Sequence, residues 1–266
     1  MSIVVSVKVR DGIVLGTDSM SQIYMKDDTG RVGVAQTYSN ARKLFQVADL
    51  NIGVMSYGAG NIGSRSVQGL LEDFNDVVRE EKEKTGKTPS VKDATLRLSR
   101  FLQDIYNVQL SDVKEAEKPL VGVFLGGYSP HSAFPEEWEF QIPRKPKAVE
   151  VRPKESFGAS WRGVSLPFTR LHMGFDPRAR DKLKELGVDE NIIKQAIEPI
   201  KSPIAYDAIP LQDAVNFAYH ILRTTIDHTT FELGPPSCGG PLDIAIVTKL
   251  DGFRWVTERK LTIPAS

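Results

Sequence analysis

Apolar positions along the chain recur with two periods, near two and near 3.6, and these divide it into strand-like and helix-like stretches. The opening run Ile3-Val4-Val5-Ser6-Val7-Lys8-Val9 and the run Ile13-Val14-Leu15-Gly16-Thr17 flank Asp11-Gly12. That dipeptide suits a type I′ turn, whose central residues need φ > 0, so the pattern predicts a buried hairpin beginning almost at Met1. Residues 19–40, rich in Gly, Asp, Thr and Ser, read as an extended loop, at most edged by a strand. A second hairpin is expected from Lys43-Leu44-Phe45-Gln46-Val47 and Asn51 to Tyr57. Gly58-Ala59-Gly60-Asn61 then breaks the strand, and Asn61 or Ser64 can cap a helix whose buried face is Val67, Leu70, Leu71, Phe74, Val77 and Val78. The charged stretch from Arg79 to Gly86 reads as its solvated end, since opposite charges alternate there.

A second helix is expected from Ser90 to near Ser111. Pro119 to Tyr128 is apolar on both faces and is placed centrally in a covered sheet. Trp138-Glu139-Phe140-Gln141-Ile142 and Ala148-Val149-Glu150-Val151 alternate like a half-exposed hairpin. Ser156 to Trp161 is a short strand, Asp176 to Ser202 holds one or two short helices, and Pro210 to Thr230 is a long helix. A last hairpin joins Leu242 to Thr248 and Phe253 to Val256 around Asp251-Gly252. No linker, repeat or low-complexity segment interrupts this, so 1–266 reads as a single domain of class α+β.

Composition narrows the function classes. With 34 basic and 34 acidic residues the formal net charge is zero, which argues against a broad footprint for nucleic acid or an anionic membrane. Cys238 is the one cysteine, so no intramolecular disulfide or Cys-rich zinc site is expected. No apolar stretch approaches a spanning helix, and Lys8 and Arg10 interrupt the start too early for a signal peptide, so a cytoplasmic location is expected. His131, His172, His220 and His228 are scattered without metal-ligand spacing; neither metal nor cofactor is expected. The letters Gly58-x-Gly60-x-x-Gly63 match a dinucleotide loop, but the flanking strands read as hairpins rather than parallel crossovers.

The chemistry with the clearest physical basis lies at the start. If Met1 is trimmed, Ser2 carries nucleophile and base together, because an α-amine with a pKa of about 7.7–8.0 can take the proton from its own Oγ near neutrality. Ser2, Asp11-Gly12-Ile13-Val14-Leu15, Asp18, Lys43-Leu44-Phe45 and Gly58 together resemble the proteasome β-type subunits of the N-terminal nucleophile hydrolases. The likeness is strongest over 2–75 and 208–258, and the Gly-Pro-Leu-Asp ending is nearest to bacterial homologues of the ancestral β type. It implies a four-layer αββα sandwich of two antiparallel sheets, with Ser2 as nucleophile and Asp18 holding Lys43 charged. Lys43 would lower the α-amine pKa, and the Gly58 N–H would stabilise the oxyanion. The implied activity is that of a serine peptidase or amidohydrolase on a peptide or protein substrate, in a ring-type homo-oligomer. An acyl transferase or peptide ligase, or an inactive ring or scaffold subunit, are the alternatives.

Three departures accompany the likeness. Aligning Gly239-Gly240 places Pro235 where the family has a supporting Asp and Cys238 where it has Ser, leaving Ser237 or Cys238 as the available hydrogen-bonding partners. Gly158-Ala159-Ser160 resembles a second family site imperfectly and makes Ser160 a supporting candidate. Residues 162–209 form an insertion that would cover the cleft or mediate contacts. A strict two-residue turn at Asp11-Gly12 also pairs Val5 with Asp18 and turns Asp18 away from Ser2, unless a bulge or a longer loop intervenes.

Overall fold

The computed structural model describes residues 2–259. Met1, whose removal the Ser2 chemistry requires, lies outside them. The chain opens with β1 (Ile3–Val9), β2 (Gly12–Thr17), β3 (Ser21–Lys26), β4 (Val32–Tyr38), β5 (Leu44–Gln46) and β6 (Ile52–Gly58). The short pair β7 (Asn61–Ile62) and β8 (Arg65–Ser66) leads into α1 (Val67–Thr85) and α2 (Val91–Gln109). β9 (Val121–Gly127), β10 (Glu136–Ile142), β11 (Lys145–Glu150) and β12 (Gly158–Gly163) follow. The helices α3 (Leu166–Met173), α4 (Arg178–Glu185), α5 (Glu190–Ile197) and α6 (Leu211–Thr230) precede a closing hairpin of β13 (Asp243–Thr248) and β14 (Gly252–Thr257).

Two five-stranded antiparallel sheets carry the architecture, one ordered β12-β1-β2-β13-β14 and the other β11-β10-β9-β6-β5. They face each other across Val4, Ile13, Leu15, Leu44, Met55, Phe124 and Val247. The outer face of the first sheet is covered by α6 and α3 through Val5, Val7, Val14, Phe168, Ala218 and Leu222. That of the second is covered by α1 and α2 through Val54, Phe74, Leu98, Leu102 and Val123. Because each sheet is covered on both sides, its inner strands are buried on both faces: all seven residues of β1 and of β9 are, whereas the edge strands β11 and β14 stay largely exposed. The molecule is therefore mixed α+β, with antiparallel sheets stacked as a sandwich. No helix among the described residues is long and apolar enough to cross a membrane.

Four local expectations are corrected. In the first hairpin Val9 pairs with Gly12, so the loop residues are Arg10 and Asp11 rather than Asp11 and Gly12. Gly12 belongs to β2 and is needed for room, since a Cβ there would lie 2.8 Å from Val247 O. Residues 19–40 are not a loop but the two-stranded ribbon β3–β4, whose turn is built on Asp27 Oδ1 accepting from Thr29 and Arg31 N–H. The ribbon is exposed on both faces, so no core-facing rhythm marks it in the sequence. The first helix starts at Val67 under a Ser66 cap, not at Asn61 or Ser64, because β7 and β8 occupy those positions. Its charged stretch is the solvated helix end expected, closing at Gly86, which takes the left-handed conformation. Finally, α3 was not expected; it packs Phe168 against Trp161, Phe217 and His220.

Candidate active site

Ser2 stands one residue before β1 and is buried. Its carbonyl accepts the Val164 N–H at 2.8 Å, which ties it to the segment after β12. The approach is so close that a Cβ on Gly163 would sit 1.9 Å from Ser2 O, and Gly163 itself has φ 85°. Alternation along β1 assigns Ser2 to the face of Val4 and Ser6, which looks toward the second sheet.

Asp18, fully buried, lies one residue beyond β2. Its Oδ1 accepts the Ile3 N–H at 3.1 Å and Lys43 Nζ at 2.7 Å. Its Oδ2 accepts the Met20 N–H at 3.2 Å and the Gly239 N–H at 3.0 Å. Lys43 is therefore no more than two hydrogen-bond lengths from the peptide that follows Ser2. The turn shift moves the pairing by two residues and leaves the faces unchanged, so no bulge brings Asp18 into place. It reaches the site sideways, from just past the strand end, through the peptide nitrogen of Ile3.

Lys43 Nζ also donates to Met20 O at 2.5 Å. Burial pulls its pKa below the ordinary lysine value, with Asp18 opposing that shift. The base of the β3–β4 ribbon holds both partners: Ala41 N–H donates to Ser19 O, and Ser19 Oγ lies 2.6 Å from Ser39 O and 2.7 Å from Pro241 O. Gly58 ends β6 with φ 91°, where a Cβ would meet Leu120 O at 2.3 Å. The Ser56 N–H donates to Lys43 O, and alternation sends the Gly58 N–H toward the same side, past the last pairing of β5.

Cys238 is fully buried beside this cluster, with Sγ 3.6 Å from Thr229 Oγ1. Burial pushes its thiol up to about 11, so it is protonated near neutral pH and unsuited to act as nucleophile or base. Ser237 is half-buried next to it. Ser160 is not brought to the cluster: it pairs with Ser6, four residues along β1 from Ser2 and about 13 Å away. There it accepts from Arg152, which also binds Glu137. Pro235 is exposed in the loop after α6.

Two nearby groups were not anticipated. Asp243, paired in register with Thr17, binds Arg259 Nε at 2.7 Å, and Arg259 donates to Ala41 O at 3.1 Å. This second buried ion pair braces the segment that carries Lys43, and the Arg259 charge further depresses the Lys43 pKa. Nothing local in the Gly-Pro-Leu-Asp stretch signals a partner sixteen residues on. The hydroxyl of Thr17, which faces the second sheet opposite Val4, is buried without a hydrogen-bond partner. No group of three or more His, Cys, Asp or Glu side chains among the described residues could hold a metal ion. No protein-family model matches the chain, and no curated protein sequence matches it either.

Proposed function

We propose that this chain is an N-terminal nucleophile hydrolase of the proteasome β type, with the αββα sandwich of that class, acting on a peptide or amide bond once Met1 has been removed. The observation that carries the reading is the shared Asp18 oxygen, which binds Lys43 and the peptide N–H directly after Ser2. A buried lysine and carboxylate cost desolvation, and an arrangement that couples them to the one residue able to supply both nucleophile and amine favours chemistry over stability.

In the mechanism the Ser2 α-amine takes the Oγ proton as Oγ bonds to the substrate carbonyl carbon, and the Gly58 N–H receives the negative charge on the carbonyl oxygen. Collapse breaks the carbon–nitrogen bond, the amine leaves with the proton, and an ester remains on Ser2. Water then attacks that ester with the α-amine again as base. Lys43 keeps a positive charge close by, which disfavours protonation of the α-amine and lowers its pKa. An amine in place of water would make the same site an acyl transferase or peptide ligase. A cytoplasmic, ring-type homo-oligomer with its Ser2 sites inward is part of the proposal.

A second reading, an inactive scaffold subunit, is favoured by the exposed Pro235 where the family has its supporting carboxylate. One experiment separates the two. Intact mass of the purified protein, before and after an electrophile directed at N-terminal nucleophiles, should show loss of Met1 and one adduct that Ser2→Ala abolishes. Full retention of Met1 in material that still turns over substrate would overturn the nucleophile reading; a free Ser2 that never reacts would favour the scaffold.

A further inference from the structure

A cleft lies at the opposite end of the sandwich from Ser2. β6 begins there and β9 runs out into it, whereas Gly58 is at the far end of β6, about 20 Å away. Five stretches converge on it: the β5–β6 turn, the last turn of α1, the link to α2, the segment after β9 and the β13–β14 turn. Its volume of about 550 Å³ falls in the range of about 300–1,000 Å³ usual for small-molecule sites.

The lining combines an apolar floor with uncompensated positive charge. Leu50, Ile52 and Tyr128 are buried beneath it, and Lys82, Lys249 and His131 stand around it. Among the described residues neither lysine has a carboxylate within ion-pair distance, and the one carboxylate of the lining, Asp49, lies 4.0 Å from Arg79. The Tyr128 phenol, pushed up to about 12 by burial, stays protonated and so can donate. The floor is fixed in advance: Tyr128 N–H donates to Asn51 O at 2.8 Å, and Gly127 packs so tightly there that a Cβ would lie 2.1 Å from the same oxygen.

The backbone adds an independent sign. Ala48, with φ 45°, and His131, with φ 61°, are the non-glycine residues with left-handed backbone among the described residues. His131 lines the cleft, and Ala48 directly precedes its Asp49. Unfavourable backbone conformations persist where surrounding structure over-determines them, and they gather at ligand sites.

We propose that this cleft binds a small organic anion with a phosphate or carboxylate headgroup, the charge held between Lys82 and Lys249 and the body resting on Leu50 and Tyr128. Excess cations around a concave, preformed, partly apolar floor suit such a ligand, whereas an apolar molecule would leave both ammonium groups without a partner.

Isothermal titration of the full chain with pyrophosphate and, separately, with citrate, at constant ionic strength, tests this. Saturable binding of at least one probe is expected, weakened at least tenfold by Lys82→Gln or Lys249→Gln and lost in the double variant. The tighter probe identifies the headgroup as phosphate or carboxylate. No saturable binding of either, or equal binding by the double variant, overturns the site. Should the double variant melt early, Lys249→Gln alone, in a surface turn, carries the same decision.

Discussion

Two buried ion pairs stand at the two ends of β1, and they are built differently. Near Ser2, Asp18 is held by three backbone N–H groups, from Ile3, Met20 and Gly239, and spends its remaining capacity on Lys43. Near Lys8, Glu137 is held by side chains, the Ser6 hydroxyl and the Arg152 guanidinium, and Arg152 goes on to Ser160. Lys8, fully buried, binds the carbonyls of Pro153 and Lys154, and burial lowers its pKa against the pull of Glu137. Backbone donors cannot swing away, so the first carboxylate fixes three chain segments and aims one ammonium group. The second fastens β1 and β12 of one sheet to β10 of the other. On the proposed function, the contrast separates an arrangement that would orient a reactive group from one that closes a gap.

The largest expected effect is on reactivity at the Ser2 end. Ser2→Ala should abolish electrophile labelling while the melting temperature holds, because a strand-end hydroxyl contributes little to the core. Lys43→Ala should slow labelling by about 10²- to 10³-fold, the size of a lost acid–base contribution. It should cost less stability than Asp18→Ala, because Asp18 keeps its three N–H partners whereas Lys43 would be left buried without a carboxylate. Kinetics of adduct formation beside thermal melts would check both; equal labelling by Lys43→Ala and wild type would dissolve the contrast.

At the other end the expectation reverses. Glu137→Ala should lower stability by about 3–5 kcal/mol, since it removes the carboxylate facing the part-buried Arg152 guanidinium and the fully buried Lys8, yet leave the labelling rate within about twofold. Urea unfolding read against adduct kinetics shows whether the two ends are separable.

A smaller effect is set by pH. Glu136 is held below the ordinary carboxylate range: burial alone would raise it, but the nearby Ser129 hydroxyl and the Lys154 ammonium, 2.9 Å from its Oε1, outweigh that. A depressed carboxylate stabilises above its unfolded pKa of about 4.3, and that contribution fades as pH falls through the lower folded value. Glu136→Gln should therefore flatten the acid limb of the stability curve, measured by melts from neutral to strongly acidic pH, and change little near neutrality. Smallest of all, Cys238→Ser should be nearly silent in labelling, and an aromatic disulfide reagent at pH 8 should modify Cys238 only after unfolding.

Much of this framework was legible because burial on both faces leaves a mark. β1, β9 and α6 are apolar where the sandwich demands it, and the capping box of Ser90 and Asp93 stands where α2 begins. Residues 19–40 hid a ribbon because strands without a core carry no rhythm. At the site, Ser2, Asp18, Lys43 and Gly58 were picked out by order along the chain, and the folded chain brings Asp18, Lys43 and the peptide after Ser2 together. Ser160 was misplaced because its proximity to Ser2 depends on the pairing of β12 with β1, which local letters do not encode. Arg259 was missed for the same reason, since its role is defined by Asp243 and by the carbonyl of Ala41.

The ribbon also bears on how the protein can be handled. Its strands lean on each other, its root is clamped between Ser19, Ser39 and Ala41, and its tip at Asp27 to Gly30 is exposed. Extra residues at such a tip cost little loop entropy and leave the clamp untouched. An affinity epitope or a fluorophore spliced between Asp28 and Thr29 would replace the Asp27 turn and sit on a stalk whose foot joins Asp18 to Lys43 along the chain, while the amine of Ser2 stays unencumbered. Fusion ahead of Ser2 would occupy the very nitrogen that the proposed chemistry requires.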